Sequence, residues 1–295
     1  MSTISKLKTL VGKTPVVRTM YDAFMKRGLG SYETYQEDFV EFISKRRGVG
    51  LEEARRLVVS AQKQFAGGWI GDSYRKFTEQ ALDTFRPLYD DGTDPEVIAT
   101  YKFHGPLDFL RMLGYVLPKQ SEMDPILSRL SSKKTVDIVD YGCGLAHRSI
   151  AVSRRLQSKG VKVKLTLVDI RREHHAQFLD FLCRKYGINY DFIEVTPERL
   201  YPELPPHDFC DNVSVLEHIR EPLLVVENTH RALRPGGLFL AYVADAIEEM
   251  MHISPDLSSV RARLRELGYV QLTKMHGVPL FQKPSFLHGT AREIT

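Results

Sequence analysis

Asp140 ends a β-branched run, and Gly142, Cys143 and Gly144 follow it before a helical stretch opens near His147. Glycines at that spacing let the backbone turn tightly and let a ligand approach without a Cβ in the way. The N–H groups and dipole of a helix's first turn then favour an anionic group, a carboxylate or a phosphate. The next apolar run ends in Asp169, whose carboxylate is placed to accept hydrogen bonds from ribose hydroxyls. A structural turn explains the first motif taken singly, and a helix cap explains the second. In sequence order they favour a nucleoside with an anionic end. The dinucleotide fingerprint requires a third glycine where this chain has His147. A bulky imidazole there would hold helix and strand apart, which argues against a dinucleotide.

The elements that must position these residues follow from periodicity. Residues 135–141, 162–170, 190–195, 209–215 and 237–244 are short β-branched runs that read as strands, and 148–160, 173–187 and 223–237 read as amphipathic helices between them. That alternation predicts an α/β fold with a doubly wound, mostly parallel sheet. Residues 270–277 and 278–284 read as a closing antiparallel hairpin around Gly277. Ahead of Ser131 the patterning is helical, as in 37–47 and 51–65, where apolar residues recur at three- and four-residue spacing. The expected organisation is a helical extension over 1–130 followed by an α/β domain over 131–295.

Composition narrows the class. The 295 residues are 43% apolar and 26% charged, which excludes collagen-like, low-complexity and wholly disordered chains. Forty-one basic against 37 acidic side chains leave a net charge of +4, too weak a balance to imply nucleic acid. No apolar stretch approaches the roughly 20 residues of a spanning helix, so no membrane partner is expected. The opening MSTISKLKTLVGK has no run like a signal peptide. With three widely spaced cysteines, that predicts a reducing, cytoplasmic setting. No His, Cys, Asp or Glu grouping has metal-ligand spacing, so no metal is expected.

Four motifs in order carry a family resemblance over about Thr135 to Pro284. Asp140-Tyr-Gly-Cys-Gly-Leu-Ala146 resembles the D-x-G-x-G-x-G loop of the class I S-adenosylmethionine-dependent methyltransferases, with Ala146 in place of the last glycine. Asp169 matches their ribose acid. The stretch His207 to Pro222, with Asp208 at the family's aspartate and Val-Leu-Glu-His-Ile at 215–219, is similar to their fourth-strand segment. Arg231 to Val243 is similar to their helix, Pro-Gly-Gly turn and fifth strand.

The resemblance implies a Rossmann-like fold with S-adenosylmethionine as cofactor and a small molecule as methyl acceptor, through an oxygen or nitrogen. It places the cofactor on Asp140, Tyr141, Gly142, Cys143, Gly144, Arg148, Asp169, Ile170, Thr196 and Leu216. Arg148 would lie near the carboxylate, and Ile170 and Leu216 would line the adenine slot. Thr196 stands where the family has an acid toward the adenine amino group; a backbone carbonyl or Glu198 would substitute. Candidate catalytic or acceptor-facing residues are His218, Asp211, Asn212 and His104. A structural role competes for each of them. His147, His174 and His175, at helix starts, are expected to be solvated or capping. The aromatic-rich front, with Trp69 between glycines, would serve as a lid giving the sulfonium a dry site. Alternative readings keep the cofactor but redirect the sulfonium to ring closure with release of methylthioadenosine, or bind it without turnover. An RNA methyltransferase is a further alternative, disfavoured by the absence of an RNA-binding motif.

Overall fold

The computed structural model describes residues 35–66, 92–102, 120–245, 253–254, 256–275 and 277–285. They fall into two compact units.

The first unit holds α1 (Gln36–Arg47) and α2 (Leu51–Ala66). Acidic residues open α1 and basic residues close it, as the helix dipole favours, and Gly48 ends it at φ 64°. Glu37 and Arg55 form a two-bond pair at 2.6 and 2.9 Å, and Phe39, Val40, Ala54 and Val58 are buried.

The second unit is built on one seven-stranded sheet. A helix over 94–102 (α3) and α4 (Gln120–Leu130) precede β1 (Thr135–Tyr141). Then follow α5 (His147–Gln157), β2 (Lys162–Asp169), α6 (Glu173–Lys185), β3 (Asn189–Glu194) and β4 (His207–Asn212). A 3-10 turn (Leu216–His218), α7 (Pro222–Ala232), β5 (Leu233–Ala241), α8 (Ser258–Glu266), β6 (Val270–Met275) and β7 (Val278–Gln282) complete it. The strand order is β3-β2-β1-β4-β5-β7-β6. The first five strands run parallel, and β7 lies antiparallel between β5 and β6. The expected α/β sheet and closing hairpin are both present.

Central strands buried on both faces need near-continuous apolar sequence, as Leu165 to Val168 shows. Strand alternation sends Val139, Tyr141, Cys210, Phe239 and Ala241 into a core with Val225 and Val226 of α7 and Val260 and Leu264 of α8. Asp140 has the opposite parity and meets α5 through Ser149. The strand order reverses between β2-β1 and β4, so the crevice of this α/β sheet opens at the carboxyl ends of β1 and β4.

The largest departures from the expected strands lie in β4 and β5. β4 stops at Asn212, because Ser214 takes φ 62° and cannot continue a strand. β5 starts at Leu233, so the Arg-Pro-Gly-Gly stretch is an irregular strand entry. There Gly236 has φ 72°, and a Cβ on Gly237 would lie 2.7 Å from the Arg234 carbonyl. Two histidines expected at the surface are buried: His147 begins α5 on its inner side, and His175 faces inward with Phe178 and Leu179. A helix start placed over a sheet has a covered side, and both imidazoles fall on it.

Candidate functional site

The loop after β1 is held from three sides. Gly142 turns at φ 72°, and its N–H donates to the Val168 carbonyl at 2.7 Å. A Cβ there would lie 2.3 Å from Val215 Cγ2, so the segment after β4 backs directly onto this glycine. Gly144 N–H donates to Asp169 Oδ2 at 2.7 Å, joining the loop after β1 to the tip of β2. Cys143 is buried, its thiol 3.8 Å from the same carboxylate oxygen. Burial, reinforced by nearby acids, pushes that thiol well up and keeps it protonated.

Asp169 is answered on both oxygens. Ile170 N–H donates to Oδ1 at 2.7 Å, and the Arg172 guanidinium approaches Oδ2 at 3.2 Å. A carboxylate has about four lone-pair directions, and with Gly144, Ile170 and Arg172 as donors Asp169 keeps one, on Oδ1, for a hydroxyl. Ile170 is half-buried beside it and Leu216 is fully buried in the turn after β4.

Helix α5 starts at the rim. Ala146, at φ 52°, is its N-cap, and its carbonyl accepts the first intrahelical bond, from Ile150 N–H at 2.9 Å. The N–H groups of His147, Arg148 and Ser149 therefore face out of the helix's amino end. Side chains of this turn reach two adjacent strands. Ser149 Oγ donates to Asp140 of β1. Arg148 forks onto Asp211 of β4, Nε to Oδ2 at 2.8 Å and Nη2 to Oδ1 at 3.0 Å. Asp140 and Asp211 occupy paired register positions and both are buried. Burial first, and the Asp211 charge second, push the Asp140 carboxyl well above the usual carboxylate range.

The other sequence candidates lie around this rim. Asn212 is fully buried at the end of β4, and neither amide atom has a hydrogen-bond partner. Tyr141 is buried next to it in β1's last position, its hydroxyl donating to the Leu200 carbonyl at 3.3 Å. Thr196 closes a tight turn with Arg199, and its hydroxyl bonds Glu198, holding that exposed carboxyl below its usual range. His218 packs edge-on against Tyr101 of α3, ring centres 6.0 Å apart. Arg220 pairs with Asp94 at the other end of α3, and Lys102 pairs with Glu194 at the end of β3. Thus α3 touches the end of β3 and the segment after β4. His104 and Trp69 lie outside the described residues.

Asp208, the family-type aspartate, is at the opposite end of β4. It accepts from Lys133 at 2.7 Å, the Asp137 N–H at 2.9 Å and Arg234 at 2.9 Å. Burial pushes its carboxyl up, but these donors outweigh burial and hold it below the ordinary value. The sequence reading passed over Ser149 and Arg172 and took Tyr101 only as one of the aromatics of the front. Ser149 left a trace as a hydroxyl in the first turn after a strand-end acid.

The donor set suits an adenosyl amino acid. Asp169 can accept from a ribose hydroxyl, and the α5 amino end can meet a carboxylate. Among the described residues no His, Cys, Asp or Glu group could hold a metal ion, and no helix is long and apolar enough to cross a membrane.

Comparison with known proteins assigns the chain a family. Residues 117–286 match the family model described as a methyltransferase domain. Over 117 residues the chain is 29% identical to a ubiquinone biosynthesis O-methyltransferase of Pseudomonas aeruginosa, covering 39% of this chain and 46% of that protein. A homonymous protein of Pseudomonas paraeruginosa is 28% identical over 109 residues, covering 36% and 44%. The chain thus spans about half the length of the curated relatives it matches. Among solved structures, one described as a class I S-adenosylmethionine-dependent methyltransferase from Listeria monocytogenes is 14% identical, with 88% of both chains covered and a TM-score of 0.46. A precorrin-6y C5,15-methyltransferase from Geobacter metallireducens is 18% identical, covering 57% of this chain and 89% of its own, with a TM-score of 0.39. Neither structural likeness bears on substrate. With the family match extending over well more than half of the chain, from ahead of β1 to beyond β7, this protein belongs to the class I S-adenosylmethionine-dependent methyltransferases.

Proposed function

We propose that the protein transfers the methyl group of S-adenosylmethionine to an oxygen of a small molecule. The observation that carries this reading is the Gly144 N–H bond to Asp169, which draws the loop after β1 and the acid of β2 into one site at the switch point. Bound there, the cofactor supplies an already activated methyl electrophile, so the protein's task is to orient, exclude water and take a proton. Asp169 holds a ribose hydroxyl, Ile170 and Leu216 wall the adenine, and the amino end of α5 takes the amino-acid end. Asn212, buried with an unanswered amide, faces the acceptor, because an unpaired buried amide costs about 1–3 kcal/mol until a ligand satisfies it. His218 takes the acceptor's proton from the turn after β4. Within the second unit, α3 acts as a cover, which is supported by its contacts with the last residue of β3 and with the segment after β4.

Similarity to proteins named as ubiquinone biosynthesis O-methyltransferases supports oxygen over nitrogen and a small molecule over a polymer. The test is incubation of the full chain with methyl-labelled cofactor and pools of phenolic, hydroxyl and amine compounds, followed by mass spectrometry of both products. S-adenosylhomocysteine with a labelled O-methyl product is the expected result. A labelled N-methyl product moves the acceptor to nitrogen, and methylthioadenosine in place of S-adenosylhomocysteine rejects methyl transfer.

A further inference from the structure

Resting on the cofactor site described above, we propose that Arg148 and Asp211 form a positioning pair. By locking the first turn of α5 onto β4, they let the site distinguish adenosyl ligands that carry an amino-acid end from those that do not.

The geometry is that of a fork. Two donors of one planar guanidinium meet both oxygens of one carboxylate, which fixes orientation as well as distance. Asp211 is 1% exposed at its side chain and Arg148 33%, so the acid is the anchored partner and the arginine is the arm at the rim. Arg148 is the second residue of α5, and the third, Ser149, bonds Asp140. Consecutive residues of one helical turn are therefore tied to neighbouring strands at paired register positions. Those ties set where the outward N–H groups of this turn point.

The bend entering the helix needs such a hold. Ala146 sits at φ 52°, a left-handed conformation that a residue with a Cβ adopts only at a cost. The charges require it as well. Asp140 and Asp211 are adjacent buried acids, and removing the guanidinium would leave the Asp211 carboxylate without its counter-charge beside a second buried acid. Arg148 thus acts through the helix start and through Asp211, and its role is to position.

Calorimetric titration of the full chain with two ligands tests this. S-adenosylhomocysteine carries the amino-acid end, and methylthioadenosine has the same nucleoside and sulfur without it. In Arg148→Met and Asp211→Asn, S-adenosylhomocysteine should bind about tenfold more weakly, as expected for one lost charge-assisted contact, while methylthioadenosine stays within about twofold. Arg148→Lys keeps the charge but cannot fork. It should show the same selective loss with an unchanged melting temperature, and so carries the test if the other variants do not fold. An equal loss for both ligands, or no loss for either, overturns the proposal. If the unaltered protein binds neither ligand, the cofactor site itself is wrong.

Discussion

Asp140 of β1 and Asp211 of β4 sit side by side at paired register positions; a guanidinium fork answers Asp211, and a serine hydroxyl answers Asp140. Asp140 consequently has its carboxyl raised well above the ordinary range, by burial and then by the Asp211 charge. An acid raised in the folded state stabilises fully below its unfolded value near 3.8, and that contribution is lost as pH rises through the folded value. Asp140→Asn removes this dependence. Its melting temperature relative to the unaltered protein should climb as pH rises through the raised value. Parallel melting-temperature curves for the two proteins across that range would contradict the assignment.

His207 gives the opposite pH signature at the other end of the sheet. It starts β4 fully buried, and burial lowers its imidazole to about 4, despite its bond to the Pro205 carbonyl. A histidine kept neutral by folding contributes stability above its unfolded value of 6.5, and this is lost as pH falls toward about 4. That window is worth about 3 kcal/mol. His207→Gln should flatten the loss of stability between those limits, read from denaturant unfolding at successive pH values. An unaltered slope would show that another group titrates there.

Gly142→Ala should be severe for two separable reasons. The left-handed backbone costs about 1–2 kcal/mol, and the collision with Val215 adds about 1–3 kcal/mol of overpacking. Adding Val215→Ala relieves the second cost, not the first. Unfolding measurements on the single and double variants should show partial recovery. Full recovery, or none, would refute this division.

Asp169→Asn replaces an acceptor by a group with two donors, one of which would face the Gly144 N–H. Methylthioadenosine and S-adenosylhomocysteine should both weaken, by roughly 10- to 100-fold for a lost charged hydrogen-bond set. The expected equality separates this residue from Arg148. Selective loss of one ligand would reassign Asp169.

The loop glycines, the acid ending β2 and the strand-helix rhythm were readable because each is local, a few residues whose spacing has one sensible geometry. The pairing of Arg148 with Asp211 was not, since it spans 63 residues and depends on how β1 and β4 align. Each is a candidate on its own in the sequence, Arg148 near the cofactor's carboxylate and Asp211 as a catalytic or acceptor-facing residue. Asp208 illustrates the same difficulty: its motif position and its place at the start of the strand were plain, but its partners Lys133, Asp137 and Arg234 come from distant segments. The buried His147 and His175 were misjudged because an imidazole at a helix start has no local sign of what covers it.

The placement of β7 has a consequence for how the chain folds. The parallel strands β1 to β5 can align while residues beyond Ala241 are still absent, yet the far edge of β5, with its apolar Leu238-Phe239-Leu240, stays an open ladder until Val278–Gln282 arrive. An open apolar edge invites pairing with a second nascent chain. The late hairpin thus acts as a closing seam, and slow synthesis between α8 and β7 would prolong the interval in which aggregation competes with folding.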